Sequence, residues 1–146
     1  MKTSRKTRRR PEPREDTVVA AVMQFLGGSG YRVRTEVSSL GQSADIIATR
    51  GRWITAVEVK VGNRQRALQQ CRAHEVIADF VVVAIGATSI SSTFRALATA
   101  SGYGIIRVDP GGAACDWALA PRRSRRVWKP ERLRFSSRLR AVRYAG

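Results

Sequence analysis

The run Phe80-Val-Val-Val-Ala-Ile85 is apolar at all six positions and ends at Gly86. A strand with no polar face must be covered on both sides, and in a chain of 146 residues that calls for helices packed against a central sheet. The run is far below the ~20 residues that span a bilayer, and no stretch of the chain approaches that length. With 43% hydrophobic residues the chain can bury one core, so one compact domain is expected.

Neighbouring periodicities supply the helices and the other strands. In 15–26, Val18, Val19, Val22, Phe25 and Leu26 recur at helical spacing until Gly27-Gly28-Ser29-Gly30 stops them as a C-cap and turn. The short apolar runs 31–37, 44–49 and 53–61 read as an antiparallel meander, the last two separated only by Arg50-Gly51-Arg52. A second helix is expected over 64–77, where Ala67, Leu68, Cys71, Glu75 and Val76 follow periods of three and four, and a third over 91–100. Strands at 104–108 and 115–119 complete an α/β fold with a mixed central sheet flanked by helices.

The formal charge of +16 is unevenly spread. Residues 1–14 carry seven Lys/Arg and one Glu, residues 121–146 carry ten and one, and residues 15–120 hold ten basic and nine acidic residues. This divides the chain into a basic N-terminal arm over 1–14, expected to be disordered, an α/β domain over 15–120 and an Arg-rich C-terminal extension over 121–146. Arginine-rich arms around a nearly neutral body suit a polyanion, because each neutralised phosphate releases condensed counterions. Candidate nucleic-acid contacts are therefore Arg8, Arg9, Arg10, Arg122, Arg123, Arg125, Arg126 and Lys129, with Arg64 and Arg66 on the second helix. Trp128 and Phe135 would stack on bases in this reading. Solvated tails with a compositional arginine bias, or a basic helix over 132–144 lying on lipid, are the alternatives.

Residues 1–10 are basic like the start of a signal peptide, but the polar Pro11-Glu-Pro-Arg-Glu-Asp16 stands where an apolar segment should follow, so a cytoplasmic location is expected. Two cysteines and one histidine make neither a disulfide framework nor a Cys/His zinc site.

The chemistry concentrates in Val57-Glu58-Val59-Lys60. Strand alternation puts Glu58 and Lys60 on one face and Val57, Val59 and Val61 on the other, which must be core. Two charged groups within a strand cost desolvation unless they face a cleft or a ligand. Lys60 is the only lysine in 15–120 of a chain with 23 arginines and four lysines, and its compact ammonium can shift its pKa where a guanidinium cannot. A hairpin turning at 50–52 would bring Asp45 beside Glu58 across the ladder. Two carboxylates and one ammonium suit phosphodiester hydrolysis, in which the carboxylates hold Mg²⁺ (or Mn²⁺) and the lysine orients or activates water. The quieter readings are a solvated Glu58–Lys60 pair, a turn role for Asp45 and a helix-dipole role for Glu15.

Glu15 in the first helix, Asp45 in Ser43-Ala44-Asp45-Ile46-Ile47, Glu58-Val59-Lys60, and Gln70 in Arg66-Ala-Leu-Gln-Gln70 follow one another in an αβββαβ order. Over about 15–109 the chain thus resembles the PD-(D/E)xK nuclease superfamily, the restriction-endonuclease-like fold of many restriction enzymes and archaeal Holliday-junction resolvases. It is also similar to small bacterial members in which a valine-rich strand follows an alanine-aspartate pair, as in Ala78-Asp79-Phe80-Val81-Val82-Val83. The resemblance implies that Asp45 and Glu58 are metal ligands, with the Val59 carbonyl a third, and that Lys60 is the catalytic lysine. It further implies that Glu15 completes the acidic cluster and that Gln70 orients water or phosphate. Ala44 departs from the pattern, standing where the name-giving proline would be. Glu36 is a reserve acid, and His74 is expected on the surface or satisfied within its helix. The expected function is a metal-dependent endonuclease acting on DNA. The alternative is a non-catalytic nucleic-acid-binding protein of the same fold. Cutting both strands would favour a homodimer, since one such site cuts one strand.

Overall fold

The structure is a computed structural model that describes residues 14–39, 42–62, 64–111 and 114–142. Arg8, Arg9 and Arg10, with nearly all of the N-terminal arm, and the side chain of Glu36 lie outside the described residues. The order is α1 (Glu15–Gly28), β1 (Arg32–Ser39), β2 (Gln42–Arg50), β3 (Trp53–Lys60), α2 (Arg64–His74), β4 (Phe80–Gly86), α3 (Ser92–Ser101), β5 (Gly104–Val108), β6 (Cys115–Leu119) and α4 (Lys129–Val142). The strands form one six-stranded sheet in chain order. β1 to β3 are the expected antiparallel meander, β3, β4 and β5 run parallel, and β6 turns back antiparallel at the edge.

Local sequence explains the joints. Arg50 pairs with Trp53, so the β2–β3 loop is the two residues Gly51 and Arg52, and Gly51 has φ +58°. The first position of a two-residue hairpin loop needs positive φ, which glycine adopts without a steric penalty. The crossovers through α2 and α3 advance in the same direction across the sheet, which sets both helices on one face. There Ala67, Cys71, Phe94 and Ala98 pack on Ile54, Ala56, Val83, Ile85 and Ile105. On the other face α1 packs Val18, Ala21, Val22 and Leu26 against Ile46, Ala48, Val57, Val59 and Val82. β4, covered on both sides, is buried at every position from 81 to 85.

Residues 121–142 are not a detached arm. The Arg122 N–H donates to Gly102 O (2.9 Å), Ser124 N–H to Asp79 O (2.7 Å) and Trp128 N–H to Val76 O (2.9 Å). α4 then inserts Phe135 and Leu139 into the core beside α2 and α3. Phe135 is therefore not a base-stacking surface residue, since it is 0% exposed, while Trp128 is exposed. The reason is spacing: Glu131, Phe135 and Leu139 recur every four residues and form the inward stripe of α4.

β5 meets the start of this segment very closely. A Cβ on Gly104 would lie 2.8 Å from Pro121 Cδ and 3.0 Å from the Leu119 carbonyl oxygen. Gly104→Ala is expected to cost about 1–3 kcal/mol by overpacking, read as a lowered melting temperature. An unchanged melting temperature would show that the β6–Pro121 segment yields easily.

Candidate functional site

The β2–β3 ladder ends at the pair Ile46–Val57, which leaves Asp45 beside Glu58. Beyond the last pair, the Asp45 side chain replaces the missing strand partner: Oδ2 accepts the Val59 N–H at 2.8 Å. Glu58 is on the face covered by α2 and is only 4% exposed. α2 brings His74, itself buried, to that carboxylate, and Nε2 lies 2.9 Å from Glu58 Oε2. A carboxylate acceptor requires the tautomer in which Nε2–H donates. Lys60, two residues on, is half-buried at the end of β3.

Electrostatics ties these groups together. Burial pushes the Asp45 carboxyl up to about 6, against the Val59 hydrogen bond, and the charges of Glu58 and Glu15 and a hydrogen bond with Glu58 add to the rise. Glu15 is thus exposed at the head of α1 but within electrostatic reach of Asp45. The Cys71 thiol on α2 is raised chiefly by burial, then by Glu58 and Asp45 among other acids, while Lys60 lowers it. One buried sulfur senses all three site charges.

The raised carboxyl has a stability consequence. Its folded pKa lies above the ordinary 3.8, so its contribution to stability is greatest at low pH and falls as pH rises toward about 6. Asp45→Asn keeps an acceptor for Val59 N–H and removes the charge. The variant is expected to melt a few degrees higher than the native chain at pH 7.5 and equally near pH 4, measured by thermal unfolding at both pH values. A lower melting temperature at pH 7.5 would contradict the cost of burying this charge beside Glu58.

The other expected residues are dispersed. Gln70 is half-buried, and its Oε1 is buried with no hydrogen-bond partner, whereas Gln65 and Gln69 are exposed. Arg64 and Arg66 are on the first turn of α2, half-buried and exposed respectively. Several C-terminal arginines pack toward the opposite end of the sheet: Arg122 Nη2 donates to Thr99 O (2.7 Å), Arg123 stacks on Trp53 at 4.9 Å, and Arg126 lies 3.6 Å from Glu75. Arg125 and Lys129 are exposed. His74 is the residue that sequence reasoning undervalued. Its signal was position, since Ala67, Cys71 and His74 share the buried stripe of α2.

No protein-family model matches the chain, and no curated protein matches its sequence. Solved structures do match. A protein of unknown function from Silicibacter pomeroyi aligns over 94% of both chains at 16% identity with a TM-score of 0.62. An XisH family protein from Nostoc punctiforme matches 72% of this chain and 100% of its own (17%, TM-score 0.55). An fdxN element excision controlling factor protein from Anabaena variabilis matches 70% and 98% (17%, TM-score 0.54). The likeness is one of fold: a mixed sheet flanked by helices, with the restriction-endonuclease-like order α1-β1-β2-β3-α2-β4. No described helix is long and apolar enough to cross a membrane.

Proposed function

We propose that the chain is a metal-dependent endonuclease that hydrolyses DNA phosphodiester bonds with a PD-(D/E)xK-type site. The observation that carries this reading is the adjacency of Asp45 and Glu58, which helps lift one carboxyl to about 6, at the strand end that also bears Lys60. Two carboxylates that repel each other favour a cation between them. Val59 N–H and His74 each occupy one oxygen and the two carboxyls hydrogen-bond to each other; Mg²⁺ or Mn²⁺ would take the place of that shared proton between Asp45 and Glu58, with the Val59 carbonyl a third donor by resemblance. Among the described residues no three His, Cys, Asp or Glu side chains are grouped to hold a metal. That donor set suits Mg²⁺, which keeps several positions for water and phosphate, better than a closed zinc cage.

When bound, such an ion would polarise the phosphate and lower the pKa of its water. The remaining tasks belong to the protein. The Val59 N–H and the His74 ring hold the carboxylates in orientation. Lys60 offers one compact ammonium to a phosphate oxygen or to the attacking water. Gln70 offers an unpartnered acceptor, and Glu15 adds negative charge from α1. The excision named for one structural neighbour is in keeping with a nucleic-acid partner.

A second reading, a nucleic-acid-binding protein without catalysis, is favoured by the depth of Glu58 and its His74 cap, which leave little of the carboxylate accessible. Supercoiled plasmid and branched DNA incubated with Mg²⁺, Mn²⁺ or EDTA separate the two. Metal-dependent nicking supports the nuclease, and tight salt-sensitive binding without cutting supports the binding protein.

A further inference from the structure

We propose that the groove between α4 and the β1–β2 edge is a seat for the phosphate backbone of a polynucleotide leading to the Asp45–Glu58–Lys60 site. The inference rests on the nuclease reading only for where the strand would be cut. The groove has a volume of about 480 Å³ and is lined by Arg32, Arg34, Arg50, Arg52 and Arg140, with no acid among its lining residues. Four of the ten basic residues in 15–120 converge there, so the near-neutral charge of the body conceals a strongly positive surface.

Arg34 supplies the independent sign of a ligand. Its Nη1 is buried and has no hydrogen-bond partner, an expensive state for a charged donor that a bound anion would relieve. Two other guanidiniums are already ordered, Arg50 over Tyr31 at 4.5 Å and Arg52 over Trp53 at 4.6 Å. Stacking fixes the plane of each and leaves its N–H edges for phosphate oxygens.

Register links the groove to the carboxylates. Arg32 pairs with Thr49 and Arg34 with Ile47, and Asp45 is two residues beyond Ile47 on the same face of β2. On β3, Ile54, Ala56 and Glu58 share that face. At ~3.3 Å per residue, Thr49 and Asp45 are ~13 Å apart along the strand, about four nucleotides of duplex rise. The five arginines gather at the Thr49 end of that span, with Arg34 opposite Ile47 the strand arginine nearest to Asp45, and five guanidiniums exceed what one phosphate ion needs.

The test is binding of a labelled 20-base-pair duplex to the full chain in EDTA, where no cutting occurs. Arg34→Gln and the rim double variant Arg50→Gln/Arg140→Gln are compared with Arg138→Gln, which is exposed and outside the groove. The rim residues are exposed, so the double variant remains informative if Arg34→Gln fails to fold. Expected is a loss of about ten-fold in affinity for the double variant and a salt slope lower by about two, with Arg138→Gln within two-fold of native. Undiminished affinity and slope in both groove variants would overturn the proposal. So would displacement of the duplex by inorganic phosphate at equal phosphate concentration, which would mark a single-anion site. Loss of binding in a chain that never cuts DNA would leave the groove standing and remove the nuclease reading; cutting with undiminished binding would do the reverse.

Discussion

Lys60→Ala is expected to lower the initial rate of plasmid nicking in Mg²⁺ by about 10²–10³-fold or more, with DNA affinity and melting temperature close to native. The magnitude is that of removing one preorganised group that stabilises developing charge. Stability should change little because Lys60 is half-buried at the last position of β3 and is not part of either core cluster. Lys60→Arg is the sharper variant. It keeps the positive charge but replaces one compact ammonium with a planar fork. If Lys60 acts by presenting a single proton to one oxygen, Lys60→Arg loses most of the rate too. Full activity in Lys60→Arg would reduce the residue to a generic positive charge.

Asp79→Ala is expected to be strongly destabilising. Asp79 is 1% exposed; its carboxylate accepts from Ile54 N–H (2.8 Å) and from Arg132 Nε (3.2 Å) and Nη2 (2.8 Å). Its own N–H donates to Ile54 O and its carbonyl accepts from Ser124 N–H. The side chain thus ties the start of β3 to α4, while the backbone of the same residue holds the segment after β6. Removing it leaves a guanidinium without its carboxylate and a buried N–H without an acceptor, a loss of about 3–5 kcal/mol. At roughly 3 °C per kcal/mol for a chain of this size, the melting temperature should fall by about 10 °C. Asp79→Asn, which keeps an acceptor for Ile54, should fall less. A fall of under 3 °C for Asp79→Ala would mean that α4 is anchored chiefly by Phe135 and Leu139.

What the sequence disclosed was local. The apolar run at 80–85, the alternation that parts Glu58 and Lys60 from the valines, and the glycine between β2 and β3 each follow from a period or a steric rule acting over a few residues. These carried the α/β fold and set Asp45 opposite Glu58. What stayed hidden depends on how helices settle on the sheet. The His74–Glu58 contact joins residues 16 apart through the docking of α2, and Arg132 meets Asp79 across 53 positions. The stripe of Glu131, Phe135 and Leu139 was masked by the arginines around it, which made α4 read as an outer arm. Charge summed along the chain was equally blind to the groove, because acids elsewhere in the body cancel Arg32, Arg34, Arg50 and Arg52 in number but not in space.

The most direct measurement compares plasmid cleavage by the native chain, Asp45→Ala and Glu58→Ala, each shown to be folded, in Mn²⁺ and in EDTA. The site described here predicts cutting by the native chain in Mn²⁺ alone and no detectable cutting by either variant. Cutting at the native rate by either variant, or by the native chain in EDTA, would contradict it.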